Sequence, residues 1–159
     1  MMTLALVWLR LIEGGVRRGA AGIGVVALGL GSLFGPYATM LFCHVPAAFA
    51  LALADWSGAR MTAPEGRRRA AFIMGLACGL ACITDYLLVL VALGMVAARC
   101  GRREFPAAVA GLAIVVGVGA AYHTVAFGAP WRIGYDYQVN FGFARARVCL
   151  LYTSPSPRD

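Results

Sequence analysis

The stretch that decides the fold is 67-RRRAAFIMGLACGLACITDYLLVLVALGMVAARCGRR-103, an apolar block with arginines at both ends. The block runs from Ala70 to Ala98, and the polar triplet Thr-Asp-Tyr at 84–86 interrupts it near its centre. A helix that crosses a bilayer needs about 20 apolar residues. A block of this length and composition therefore predicts helices embedded in a membrane.

The composition of the whole chain indicates the same class. Its 159 residues are 61% hydrophobic and 13% charged, and the mean hydropathy is +0.77. Ordinary soluble domains carry about 25% charged residues, so this chain has too little charge to cover a soluble surface. The net charge is +7 and every basic residue is arginine, which suggests a GC-rich bacterial genome. The arginines cluster between apolar blocks, as they do in the cytoplasmic loops of membrane proteins. This arrangement does not favour nucleic acid as a partner.

The two arginine clusters of the opening stretch constrain its topology. Cytoplasmic loops of membrane proteins are rich in arginine, so both clusters are expected on the same side of the membrane. This favours two short helices, 70–83 and 86–98, with Asp85 at the turn between them. Each would be only about 14 residues and about 21 Å long, which is short for a full crossing. A single long helix stays open as the alternative.

Three further apolar blocks, 19–35, 45–56 and 105–122, complete the prediction of an all-α, polytopic transmembrane helical bundle with about five membrane segments. We expect a multi-pass protein of the inner membrane. Residues 1–148 form a partial transmembrane domain whose last part, 123–148, is an extracytoplasmic loop.

The terminal residues 149–159, CLLYTSPSPRD, differ from the rest of the chain. All of them match, in one reading frame, the translation of a transposase adaptor used in short-read sequencing libraries. We expect this tail to be non-native, and the chain to be an interior piece of a longer native protein, truncated at both ends.

A few polar residues are candidates for chemistry. An ionisable residue at an apolar block, such as Asp85, is a functional candidate by default, although it could instead be a solvated turn residue. His44 could bind a polar ligand at the extracytoplasmic face or cap the next helix. Arg132 lies among aromatic residues in 128-GAPWRIGYDY-137, where it could contact a lipid phosphate. The alternative for that segment is an interfacial aromatic belt.

Other motifs indicate packing more than chemistry. Gly75 and Gly79 form a G-x-x-x-G pattern that predicts a helix contact face. Cys78 and Cys82 share one helix face without a nearby histidine, so they are interpreted as small apolar contact residues. No catalytic residue, metal site or cofactor is expected in this chain, and a divalent metal in a full-length parent stays open.

Three stretches together resemble a known family: GSLFGPYATMLFCHVPAAFALALA at 31–54, GLACGLACITDYLLVLVAL at 75–93 and AAYHTVAFGAPWRIGYDY at 120–137. They look like bacterial relatives of the protein O-mannosyltransferases, which are GT-C-fold glycosyltransferases. The resemblance covers about residues 5–148. Within a motif often written Y-N-x-x-x-F-G-S-P-x-x-x-G-Y, His123 and Ala129 depart from the usual Asn and Ser.

The resemblance implies sugar transfer at the extracytoplasmic face, from a polyprenyl-phosphate sugar donor to a protein or lipid acceptor. It implies that Tyr37, His44 and Asp85 line a cavity that opens to the extracytoplasmic side. It also implies that Arg132 binds the donor phosphate, with Tyr135 beside it. The family's catalytic acid usually lies in the first extracytoplasmic loop. This chain has no counterpart to it, so we expect the chain alone to be inactive.

Two other functions stay open. The chain could be a fragment of a small transporter or permease, with Asp85 as a coupling residue within the membrane. It could also be a membrane protein without a catalytic role. A membrane lipid is an expected partner in all three cases.

Overall fold

The computed structural model describes residues 1–39, 43–62 and 66–132. Of these residues 83% are helical, and they contain no β-strand. The tail 149–159 and the larger part of the predicted loop 123–148 lie outside the described residues. Short 3-10 turns occupy Arg60–Thr62 and Tyr86–Leu88. The α-helices are α1 Met2–Glu13, α2 Arg18–Leu30, α3 Phe34–Thr39, α4 His44–Ala59, α5 Arg67–Thr84, α6 Val89–Arg99 and α7 Phe105–Phe127.

The chain divides into two compact units, residues 1–118 and 119–159. The first unit contains α1 to α6 and the larger part of α7. The described part of the second unit is the end of α7 and the residues that follow it to Arg132.

The opening stretch folds as two helices that reverse at Asp85. Helix α5 ends at Thr84, and Asp85 is extended, with φ −145° and ψ 111°. The Asp85 carboxylate then accepts a hydrogen bond from the Leu87 N–H at 3.1 Å, which caps the short turn leading into α6. The Cys78 Sγ lies 4.0 Å from the Ala92 carbonyl oxygen, so α6 runs back along α5. The break agrees with the two-helix alternative.

The packing inside the first unit uses small side chains. Its largest fully buried side chains are Met74 and Cys78, and the other core positions are mainly alanines. Leu90 of α6 is 75% exposed and Ile23 of α2 is 73% exposed. Helices that pack through small residues and expose large aliphatic ones are typical of an apolar environment.

Glycines bring α5 and α7 into backbone contact. A Cβ built at Gly75 would clash with the Ala108 carbonyl oxygen, and a Cβ at Gly111 would clash with the Phe72 carbonyl oxygen. At Gly79 the added atom would lie 2.9 Å from the Val115 Cβ. The predicted contact face of Gly75 and Gly79 is therefore confirmed, and it faces α7.

The prediction of about five membrane segments is wrong. In the part of the chain that the structure describes, one helix is long and apolar enough to cross a membrane by length and composition, and this is α7 with 23 residues. Helices α2, α4 and α6 have 13, 16 and 11 residues, which at about 1.5 Å per residue is well short of a core about 30 Å thick. Helix α5 has 18 residues but begins with three arginines.

Candidate functional site

Three of the predicted site residues meet at one end of the first unit. The Tyr37 and His44 rings lie 5.6 Å apart between centroids, edge to face at 68°. The His44 Nδ1 lies 3.7 Å from the Asp85 Oδ2. Since these residues belong to α3, α4 and the α5–α6 turn, the fold gathers them from three separate segments. We refer to Tyr37, His44 and Asp85 as the polar triad.

The local sequence explains how each side chain reaches this position. His44 is the first residue of α4, and Pro46 follows in the first turn, where a missing N–H costs nothing. Asp85 follows the last residue of α5, where its carboxylate caps the turn. Helices α4 and α5 are antiparallel neighbours, as the approach of Gly58 to Met74 near their other ends also shows. The start of α4 therefore meets the end of α5.

The geometry of the polar triad suits hydrogen bonding to a polar ligand. The Asp85 side chain is 21% exposed, with Oδ1 held by the Leu87 N–H and Oδ2 facing His44. At 3.7 Å the His44–Asp85 contact is longer than a hydrogen bond, so it is an electrostatic contact when the imidazole is protonated. The His44 side chain is 54% exposed. A carboxylate, an imidazole and an aromatic ring thus share one accessible surface.

The other two predicted site residues belong to the second part of the chain. Arg132 lies in the second unit, where its Nη1 donates to the Phe127 carbonyl oxygen at 3.3 Å. Tyr135 lies outside the described residues. In the second unit Tyr122, His123 and Phe127 form an aromatic group with centroid distances of 5.7–6.3 Å.

A second polar cluster, not predicted from the sequence, lies at the opposite end of the first unit. Asp55 binds two arginines: its Oδ2 lies 3.0 Å from the Arg10 Nε, and its Oδ1 lies 2.7 Å from the Arg99 Nη2. Glu13 pairs with Arg60 at 3.1 Å. The signal that could have indicated this cluster is Asp55 itself, an acid near the end of an apolar block.

An open cavity of about 860 Å³ lies beside these ion pairs. The Arg60 guanidinium covers the Trp56 ring on the cavity wall, with its carbon 3.6 Å from the ring centroid, which is a cation–π contact. We call this space the arginine cavity. Its lining residues that matter for the argument are Arg10, Glu13, Trp56, Arg60, Arg69 and Arg99.

Metal ligands do not cluster in the described ranges. Residues 1–39, 43–62 and 66–132 contain no group of three or more His, Cys, Asp or Glu side chains placed to hold a metal ion.

No family model, curated protein or solved structure matches this chain. The resemblance to the protein O-mannosyltransferases therefore stays a prediction. The function has to be argued from the chemistry of the two clusters.

Proposed function

We propose that this chain is part of a membrane-bound glycosyltransferase that uses a polyprenyl-phosphate sugar donor, and that the polar triad contributes to its sugar-binding surface. The observation that carries the proposal is the convergence of Tyr37, His44 and Asp85 from three segments, with contacts of 5.6 Å and 3.7 Å. These residues were assigned together to one cavity on the resemblance alone, so their proximity supports that assignment.

The chemistry of the polar triad fits a sugar. Carboxylate and imidazole groups exchange hydrogen bonds with hydroxyl groups, and a tyrosine ring packs against an apolar face while its hydroxyl stays in water. No acid–base pair is assigned to catalysis here. The role proposed for the polar triad is to bind and orient the sugar or its acceptor, which is a protein or a lipid.

The placement of charge distinguishes the two ends of the first unit. The arginine cavity and the basic starts of α2 and α5 gather cations away from the polar triad. We propose that the protein resides in the bacterial inner membrane, that α7 crosses it, and that the exposed aliphatic side chains of α2 and α6 contact lipid.

Arg132 and Tyr135 keep the role that the resemblance implies. In this proposal the Arg132 guanidinium binds the phosphate of the donor, because a planar guanidinium pairs with two phosphate oxygens at once. Tyr135 would lie beside it, at the membrane interface.

The transporter alternative is less well supported. A coupling residue would be expected near the middle of the membrane, whereas Asp85 lies at one end of the first unit, where it caps the turn between α5 and α6. Labelling of an Asp85→Cys variant, with the native cysteines replaced by alanine, separates the two functions. Reaction with a membrane-impermeant maleimide from the outer side alone supports the glycosyltransferase, and protection from both sides supports the transporter.

Binding in detergent tests the proposal directly. The full chain would be mixed with undecaprenyl phosphate, or with undecaprenyl phosphate carrying a hexose, and the bound fractions compared by native mass spectrometry. We expect a preference for the hexose-bearing lipid that falls in His44→Gln and Asp85→Asn. Glu13→Gln, which changes a carboxylate at the other end, should keep it. Equal binding of the two lipids by the wild-type chain would contradict the proposal.

A further inference from the structure

The arginine cavity has a size and a lining that suit a small anionic group. Its volume is about 860 Å³, within the range of about 300–1,000 Å³ that is usual for ligand sites. Ala59, Ala70 and Ile73 supply an apolar part of the lining beside the charged groups. The cavity therefore offers both charge and apolar surface to a ligand.

The charges around the cavity do not balance. Arg10, Arg60, Arg69 and Arg99 line it, whereas the carboxylates paired with them are those of Asp55 and Glu13. Counted over the described residues alone, four cations and two anions leave an excess of two positive charges. In the part of the chain that the structure describes, Arg69 has no carboxylate within 4.0 Å. An anion brought into the cavity would be attracted most directly by Arg69.

One further feature adds to the attraction for an anion. Gly66 and Arg69 lie at the start of α5, where the N–H groups of the first helical turn carry partial positive charge.

We propose that the arginine cavity binds the phosphate of an anionic phospholipid headgroup at the membrane surface. Guanidinium groups suit phosphate oxygens in paired hydrogen bonds, and basic clusters beside a membrane-spanning helix attract anionic headgroups. A lipid is favoured over a soluble phosphate ester because the helices around the cavity expose large aliphatic side chains. Trp8 and Leu9 of α1 are examples on the element that carries Arg10.

Fluorescence of a single tryptophan tests this site. In a chain with Trp8→Phe and Trp131→Phe, Trp56 is the remaining tryptophan of three. The detergent-solubilised protein would be titrated with dihexanoyl phosphatidylglycerol, dihexanoyl phosphatidylcholine and glycerol 3-phosphate. We expect a saturable change with phosphatidylglycerol and a much weaker response to the other two. Equal responses to glycerol 3-phosphate and phosphatidylglycerol would overturn the lipid as the source of the phosphate.

Matched charge variants test whether the cavity itself is responsible. Arg69→Gln should weaken phosphatidylglycerol binding by about tenfold, as expected for the loss of one charge-assisted hydrogen bond. Arg102→Gln removes the same charge from an exposed position that does not line the cavity. The affinity of this variant for phosphatidylglycerol should stay near that of the chain with Trp56 as its remaining tryptophan. Equal losses in the two variants would show that net charge alone attracts the lipid and would overturn the proposal. The arginine cavity and the polar triad lie at opposite ends of the first unit. A negative result for phosphatidylglycerol binding therefore does not contradict the hexose preference of the polar triad.

Discussion

The Asp55 carboxylate binds the Arg99 guanidinium at 2.7 Å between Oδ1 and Nη2, although the two residues are 44 positions apart in the chain. Its other oxygen binds Arg10 at 3.0 Å. One carboxylate near the end of α4 therefore connects the ends of α1 and α6. The connection also keeps the arginines of the cavity wall at fixed positions.

Replacing Asp55 with Asn should destabilise the first unit modestly. The side chains of this cluster are 30–37% exposed, and ion pairs at such positions contribute up to about 1 kcal/mol each. Loss of both pairs should lower the melting temperature by about 2–4 °C per kcal/mol in a chain of this size. Thermal unfolding in detergent measures the change. Asp55→Asn combined with Arg99→Gln should cost less than the sum of the single losses, and simple additivity would contradict a direct interaction.

The glycine contact between α5 and α7 leads to a larger expected effect. Gly75→Ala places a methyl group against the Ala108 carbonyl oxygen, and overpacking of this kind costs about 1–3 kcal/mol. Gly94→Ala is the matched control, because a Cβ at Gly94 meets nothing within 4 Å. In a helix that substitution should stabilise by about 0.5–1 kcal/mol. Opposite signs in thermal unfolding are expected, and equal effects would show that α7 does not pack on α5 in solution.

Sequence reasoning predicted the features that depend on local pattern. The break at Asp85 follows from a polar triplet between two basic clusters, and the packing of Gly75 follows from the spacing of small residues. The predicted spans also fall close to helices of the structure. Helix α1 was not among the predicted segments.

Sequence reasoning was wrong where apolar composition continues past the end of a helix. The apolar run predicted as 19–35 stops being helical after Leu30, where Gly31 closes α2 with its N–H on the Ala27 carbonyl oxygen, and the Ser32 hydroxyl then accepts the Phe34 N–H at the start of α3. Hydropathy does not register that stop, so the run was counted as a membrane segment. The arginine cavity was missed for a different reason, since it joins residues from α1, α4, α5 and α6 that have no common spacing in sequence.

The two roles of Asp85 can be separated by two substitutions. Asparagine keeps a side-chain oxygen for the Leu87 N–H but loses the charge that faces His44, whereas alanine loses both. Asp85→Ala should therefore destabilise the chain by about 0.5–2 kcal/mol, as for other lost caps, and Asp85→Asn by less. Thermal unfolding gives the stabilities, and the hexose preference in native mass spectrometry reports the charge. If both variants lost stability equally, the cap would not be the structural role of this residue.

The thiol of Cys100, in the turn between α6 and α7, should respond to pH in a way that reports its surroundings. Partial burial is the main cause that raises its pKa above the ordinary 9.0, and the negative charge of Glu104 adds to it. The thiolate is the form that reacts with alkylating agents. Cys100 should therefore react more slowly with iodoacetamide near pH 9 in the folded chain than in the denatured chain. The alkylated Cys100 peptide would be quantified by mass spectrometry from about pH 7 to about pH 11, a range that includes the ordinary pKa of a thiol.

Glu104→Gln separates the two causes, because it removes the charge while leaving the burial largely in place. The labelling curve of this variant should move part of the way back toward that of the denatured chain. The sign for stability follows from the same shift. A thiol with a raised pKa in the folded state favours folding below its unfolded pKa, and this contribution is lost as the pH rises through the folded value. The folded chain should thus lose stability at alkaline pH, and less steeply in Glu104→Gln. A Cys100 labelling curve that is the same in the folded and denatured chains would place this thiol in open water instead of beside α6.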